Sequence, residues 1–137
     1  MSLVVDASVA VKWVVLEEGR AEALRRTAGV PLSAPDFVLV EAANILWKKV
    51  RRKELNRDQA HMGAEFIRAA FQSLIPASDL IEDAASISFD IDHPVYDCMY
   101  LACARQLGFS LLTADQKLAQ RSEAAGFSVE LLSGASA

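Results

Sequence analysis

Four carboxylates stand where the surrounding sequence is otherwise built for burial. Asp6 closes "LVVD", Glu41 interrupts "PDFVLVEAANILW", Asp97 sits in "VYDCMYLACA" and Asp115 ends "LLTAD". A carboxylate in apolar surroundings is costly unless something offsets its charge. Several drawn into one poorly solvated cleft would repel strongly, and cations are the usual remedy. Hard divalent ions with oxygen ligands, Mg2+ or Mn2+, suit such a set. No cysteine and histidine pattern with zinc spacing competes with them. Each acid also has an ordinary reading. Asp6 or Asp115 alone could cap a helix, Glu41 could pair with Lys48 or an arginine or face water, and Asp97 benefits from a helix dipole. One shared cause accounts for four such acids better than four accidents do. The joint pattern favours a metal site, and spacing alone leaves its chemistry open.

Those acids matter together only if the fold brings them together. Periodicity gives short β runs alternating with longer helices. "SLVVD" reads as a strand, Ala7 to Leu16 as an apolar helix, and Gly19 to Ala28 as an amphipathic helix closed by Gly29. "VPLSAP" is extended, Pro35/Asp36 starts a helix to about Arg52, and Arg57 to Ser73 forms the next. "LIPAS" is extended, and Asp79 caps a helix through about Phe89. Asp92 is the expected N-cap of a helix with Pro94 in its first turn, ending at Leu107 before Gly108. "FSLLTAD" is a strand, Gln116 to Ala125 a helix and "FSVELL" a last strand. This alternation predicts an α/β domain with a mainly parallel sheet flanked by helices. It occupies residues 1–132, with 133–137 as a frayed tail. In such sheets ligands bind beyond the C-terminal strand ends. Asp6 and Asp115 stand at that edge, and Asp97 and Glu41 lie early in their helices, so all four can converge there.

Composition sets the outer bounds. A chain of 137 residues, 53% hydrophobic and 23% charged, is one globular domain with enough core to fold without disulfides or structural zinc. No apolar run reaches the roughly 20 residues of a membrane span. The opening "MSLVVDAS" lacks a basic leader region. Cys98 and Cys103, five positions apart on one helix, point in different directions and read as small core residues. A cytoplasmic location follows as the expectation. The net charge of −4 argues against broad nucleic-acid affinity while leaving room for a local basic patch.

The stretches "LVVDASVAVKW", "VEAANILW", "HPVYDCMYLACA" and "LLTADQKL" resemble, in order and spacing, the PIN-domain ribonucleases, specifically the VapC-like toxins of bacterial toxin–antitoxin pairs. The likeness spans essentially the whole chain, and the first and third stretches are its most specific parts. It implies a PIN-like three-layer domain in which Asp6, Glu41, Asp97 and Asp115 bind Mg2+ or Mn2+ and support hydrolysis of RNA phosphodiesters. Some relatives place a further acid or amide just after the last motif aspartate, where Lys117 and Leu118 offer none. The resemblance also implies a small cognate antitoxin and a homodimer.

The chemistry agrees with the residues. Divalent ions can activate water and neutralise a phosphoryl oxygen without a histidine base. His61 lies in a polar helix and His93 opens the helix carrying Asp97, and neither is assigned as a base. Ser8, Thr113 and Asn44 are the candidates for orienting the acids through hydrogen bonds, with local capping as the plainer reading of the two hydroxyls. "KKVRRKELNR" gathers Lys48, Lys49, Arg51, Arg52, Lys53 and Arg57, and it is the best candidate for gripping an RNA backbone. Lys12 could add a phosphate contact. The run carries no interleaved aromatics, which favours a folded RNA such as tRNA over a bare single strand. The rivals are a non-catalytic PIN-like module that binds RNA or protein, and a PIN-type nuclease acting on DNA. A haloacid-dehalogenase-like phosphatase would show D-x-D where this chain has Asp6-Ala7-Ser8.

Overall fold

The structure is a computed structural model that describes residues 1–132. Residues 133–137, expected to be a frayed tail, lie outside the described residues. The chain runs β1 (Leu3–Val5), α1 (Ala7–Ala10), α2 (Arg20–Thr27), β2 (Leu32–Pro35), α3 (Phe37–Arg51), α4 (Arg57–Ala70), β3 (Ser73–Ile75), α5 (Ile81–Ile91), α6 (Val95–Leu107), β4 (Ser110–Thr113), α7 (Gln116–Ala124) and β5 (Val129–Leu131). All neighbouring strands are parallel, in the order β3-β2-β1-β4-β5. The expected parallel α/β sheet is therefore what forms.

This order puts β1 at the centre. The chain moves outward from β1 through β2 to β3, then crosses back to lay β4 and β5 on the other side. Between β1 and β4 the direction of winding reverses, and their C-terminal ends open a crevice rather than being bridged by one connection. Central strands of a parallel sheet are covered on both faces and so are apolar throughout. Every residue of β1 and β2 is buried, whereas edge strand β5 has none buried. Helix α6 packs on β1, β2 and β4 and is itself covered by α5. Its unbroken buried run Cys98–Ala104 follows from that position, since a helix enclosed all round must be apolar all round. Leu111, fully buried in β4, sits in the same core. We expect Leu111→Ala to lower unfolding stability in urea by about 2–5 kcal/mol, the range for truncating a packed leucine.

Several local expectations need correction. The Ala7–Leu16 helix is only one turn, followed by a 3-10 turn over Val11–Trp13. Val9, Val11 and Val15 are buried β-branched residues with weak helix preference, so packing rather than propensity shapes this segment. The helix from Arg57 stops at Ala70, and Ser73 belongs to β3, which pairs with β2. Asp79 does not cap α5. It lies in a 3-10 turn, and Leu80 occupies the N-cap position. Asp92 is not the N-cap of α6 either. It is the left-handed C-cap of α5 (φ 53°), a conformation aspartate tolerates better than most residues, and Pro94 precedes α6. Asp36 does sit at the start of α3, but its carboxylate accepts from the Ala77 backbone instead of capping that helix.

Candidate metal centre

Asp6 follows β1 directly and is the N-cap of α1, so the strand delivers it to the crevice and the helix fixes its carboxylate. It is 5% exposed. Its Oδ1 accepts from the Ser8 hydroxyl at 2.6 Å and from the Val9 backbone N–H at 3.3 Å. Its Oδ2 accepts from the Thr113 hydroxyl at 2.5 Å. Thr113 is the last residue of β4, so this contact ties the two central strands at the crevice. The Ser8 and Thr113 oxygens accept in turn from the backbone N–H groups of Ala114 and Asp115, each at 3.0 Å. Burial outweighs these hydrogen bonds and pushes the Asp6 carboxyl up to about 6, with Asp97 adding to the rise.

Glu41 projects from the second turn of α3 toward α6, where the buried Tyr100 hydroxyl donates to its Oε1. Burial raises the Glu41 carboxyl above its ordinary value against that bond, and the charges of Asp6 and Asp97 raise it further. Tyr100 is held protonated by burial and by the Glu41 charge. Asp97 occupies the first turn of α6 and meets His93 Nε2 through Oδ2 at 2.6 Å. His93 is buried, and its Nδ1 has no partner among the described residues. The fourth acid, Asp115, follows β4 and caps α7 through Leu118 N–H at 3.1 Å. It is exposed, and only its backbone N–H, not its carboxylate, reaches the Thr113 hydroxyl that donates to Asp6.

Asp6, Glu41 and Asp97 thus come from three remote segments into range of one another's charge. Asp6 and Asp115 both serve as helix caps, which is the ordinary reading of each. Ser8 and Thr113 both donate their hydroxyls to Asp6. Asn44 is exposed and has no hydrogen bond to Glu41 among the described residues, because Tyr100 supplies that donor. Tyr100 and His93 were not selected from sequence as partners of the acids. Part of the signal lay in spacing: Asp97 and Tyr100 are three positions apart on one face of α6, and His93 stands just before that helix.

Of the basic residues, Lys48, Arg51, Arg52, Lys53 and Arg57 are exposed around the end of α3. Lys49 is not part of that exposed set. It is buried against Glu17 at 2.8 Å and Glu54 at 3.4 Å. Burial alone would lower its pKa, and the Glu17 and Glu54 contacts reverse that. Lys12 is likewise engaged, donating to the Glu18 carbonyl at 2.8 Å and facing Glu17 at 3.5 Å. Both lysines are thereby occupied in pinning the segment after α1. His61 is exposed on α4 and makes no hydrogen bond or ion pair with the four acids among the described residues. Cys98 and Cys103 are free and buried, and burial lifts their thiols to about 11 and about 12, which leaves them inert at neutral pH.

A fully parallel five-stranded sheet carries Asp6 and Asp115 just beyond the C-terminal ends of β1 and β4, with hydroxyl and phenol donors to Asp6 and Glu41. The chain belongs to the PIN-domain family, whose pattern matches residues 3–124. Within that family it is similar to ribonuclease VapC3 of Pyrobaculum aerophilum, with 36% identity over 124 residues, 88% of this chain and 95% of that protein. Two crystal structures share the fold. PAE2754 from P. aerophilum superposes with a TM-score of 0.68 at 20% identity, covering 88% of this chain and 86% of its own. VapC20 of Mycobacterium tuberculosis, a sarcin-ricin loop cleaving toxin, superposes with a TM-score of 0.69 at 23% identity, covering 92% and 96%. Family and fold agree with the resemblance read from the four sequence stretches.

Among the described residues, no three Asp, Glu, His or Cys side chains close into a ready-made ligand cage. The donors nonetheless suit a hard divalent ion. Mg2+ keeps much of its water shell and is held by one or two carboxylates, whereas structural zinc requires a closed nitrogen and sulfur set. The raised carboxyls of Asp6 and Glu41 owe their shifts first to burial, with the charge of neighbouring carboxylates adding to each.

Proposed function

We infer that this chain is a Mg2+- or Mn2+-dependent endoribonuclease, the toxin of a toxin–antitoxin pair, and that it hydrolyses RNA phosphodiester bonds. The observation that supports this reading is that Asp6, Glu41 and Asp97 lie within range of one another's charge, with Asp115 placed just beyond the end of β4. The similarity to ribonuclease VapC3 supports the substrate class. A pure binding module gives no reason to keep such mutually repelling acids together.

Asp6, Glu41, Asp97 and Asp115 would hold the ion. Bound there, it would supply Lewis acidity to a phosphoryl oxygen and lower the pKa of water. Ser8 and Thr113 fix both oxygens of Asp6. Tyr100 orients Glu41, and His93 orients Asp97. Outer hydrogen bonds of this kind usually change metal affinity or activity by about 10–100-fold when removed. Tyr100→Phe, which keeps the packed ring, is accordingly expected to weaken Mn2+ binding by roughly that factor, measured by calorimetric titration. Unchanged affinity would show that the phenol only packs.

The exposed cations at the end of α3 are the proposed grip on the RNA backbone, with Lys12 and Lys49 excluded by their ion pairs. A folded RNA such as tRNA, a small antitoxin, a homodimeric state and a cytoplasmic location complete the reading. No helix among the described residues is long and apolar enough to cross a membrane.

The test is cleavage of RNA by the purified protein with Mg2+ or Mn2+, its loss in EDTA, and growth arrest on expression without a partner. Equal cleavage of RNA in EDTA would refute the metal mechanism. Preferential cleavage of DNA would move the substrate class.

A further inference from the structure

Two aromatic rings at the rim of the acidic crevice have no part in the chemistry described above. Phe37 is the first residue of α3, one turn before Glu41 on the same helix face. Tyr96 immediately precedes Asp97 in the first turn of α6. The two rings lie nearly parallel, 18° between planes and 5.9 Å between centroids. Tyr96 is nevertheless 64% exposed, and its hydroxyl has no hydrogen-bond partner among the described residues. Core packing therefore explains little of its placement.

Phe37 steadies Tyr96 from one side, and most of the tyrosine stays open to solvent. That is the form of a stacking surface held rigid in advance. Its position is equally informative, since each ring shares its helix turn or face with an acid of the crevice. A phosphodiester held at those acids would have a sugar and base on either side, and the rings stand one residue from Asp97 and one turn from Glu41. The basic run at the end of α3 is the proposed grip on the backbone, and its neighbouring aromatic, Trp47, already carries Arg51 over its ring at 5.2 Å. The Phe37–Tyr96 pair instead offers an open ring beside an acid.

We propose that Phe37 and Tyr96 form a base-stacking platform that seats an unpaired nucleobase next to the phosphodiester held by the acids. This rests on the reading of the acids as an RNA-cleaving centre. Every base has a π face, so the platform selects for an unstacked, accessible nucleotide, as in a loop, more than for a particular sequence.

The test uses the full chain and short oligoribonucleotides in which one abasic nucleotide is moved along the strand, with kcat and KM measured in Mn2+. For the wild type, one abasic position is expected to lower kcat/KM roughly 5- to 100-fold, the range found when a base loses an aromatic partner, mainly through KM. Tyr96→Ala should lose a similar factor on the intact strand and no longer respond to the abasic position. Tyr96→Phe should behave as the wild type, and Phe37→Leu, which keeps apolar packing, should fall between. Thermal melting verifies that the variants are folded. Independent, multiplying losses from Tyr96→Ala and the abasic position would overturn the platform. So would wild-type kinetics in Tyr96→Ala, or a loss recovered at higher protein concentration together with a changed sedimentation coefficient, which would make the rings a subunit contact. Cleavage untouched by these variants removes the platform alone, whereas a wild type that cleaves no RNA removes the nuclease reading and the platform with it.

Discussion

Asp97→Asn is expected to reduce RNA cleavage at least about 1,000-fold, the scale set by losing several kcal/mol of metal-supplied transition-state stabilisation. The substitution isolates charge. Asparagine keeps the shape and an oxygen that can still accept from His93 Nε2, which meets Asp97 at 2.6 Å. Its structural cost is confined to a weaker helix N-terminal charge interaction, about 0.3–1 kcal/mol. A folded, inactive protein is therefore the predicted product, to be measured by single-turnover cleavage beside a thermal melt. Expression of the variant should not arrest growth where the wild type does. Cleavage within a few-fold of wild type would remove Asp97 from the centre.

The second large effect concerns stability and has the opposite sign. Burial holds the Asp6 carboxyl at about 6 in the native protein, against an ordinary value of 3.8. Below pH 4 the group is protonated in both the folded and unfolded chain and costs nothing. Between pH 4 and 6 the unfolded chain has released its proton while the native state still holds it, so raising the pH favours unfolding. Above pH 6 the penalty is complete, roughly 3 kcal/mol for a shift of about two units. Glu41, also raised, adds in the same direction. In EDTA the protein should thus lose stability as the pH rises from 4 toward 7. Asp6→Asn, which retains capping ability, should melt about 5–15 °C above wild type at pH 7 without metal. Mn2+ should then stabilise the wild type and leave the variant almost unmoved. A variant that melts below wild type in EDTA at pH 7 would contradict this account of Asp6.

These two outcomes together would describe a protein that holds costly charge at one place for chemistry. That is also why the four acids were visible in the sequence. A carboxylate amid "LVVD" or "FVLVEAANIL" conflicts with its neighbours, and conflicts between local pattern and burial concentrate at functional sites. The parallel sheet was readable chiefly from β1 and the Leu111–Leu112 centre of β4, which are buried and apolar, whereas β2, Leu-Ser-Ala-Pro, read only as an extended segment. What escaped reading depended on through-space neighbours. Tyr100 looked like one more apolar residue of a buried helix, and only the approach of α3 reveals its hydroxyl facing Glu41. Lys49 looked like its basic neighbours until the segment after α1 folded Glu17 against it. Asp92 and Asp79 are favoured capping residues by type, but the backbone took a left-handed turn at one and a 3-10 turn at the other. Short edge strand β3 was too brief to show a period, so its first residue merged with the preceding helix.

The central claim is that Asp6, Glu41, Asp97 and Asp115 act on one shared divalent cation. Calorimetric titration of Mn2+ into the purified protein at pH 7, repeated for Asp6→Asn, Glu41→Gln, Asp97→Asn and Asp115→Asn, tests it most directly. The account predicts saturable binding by the wild type that every one of the four substitutions weakens at least about 10-fold. A wild type that binds no Mn2+, or four variants that bind it as the wild type does, would contradict it.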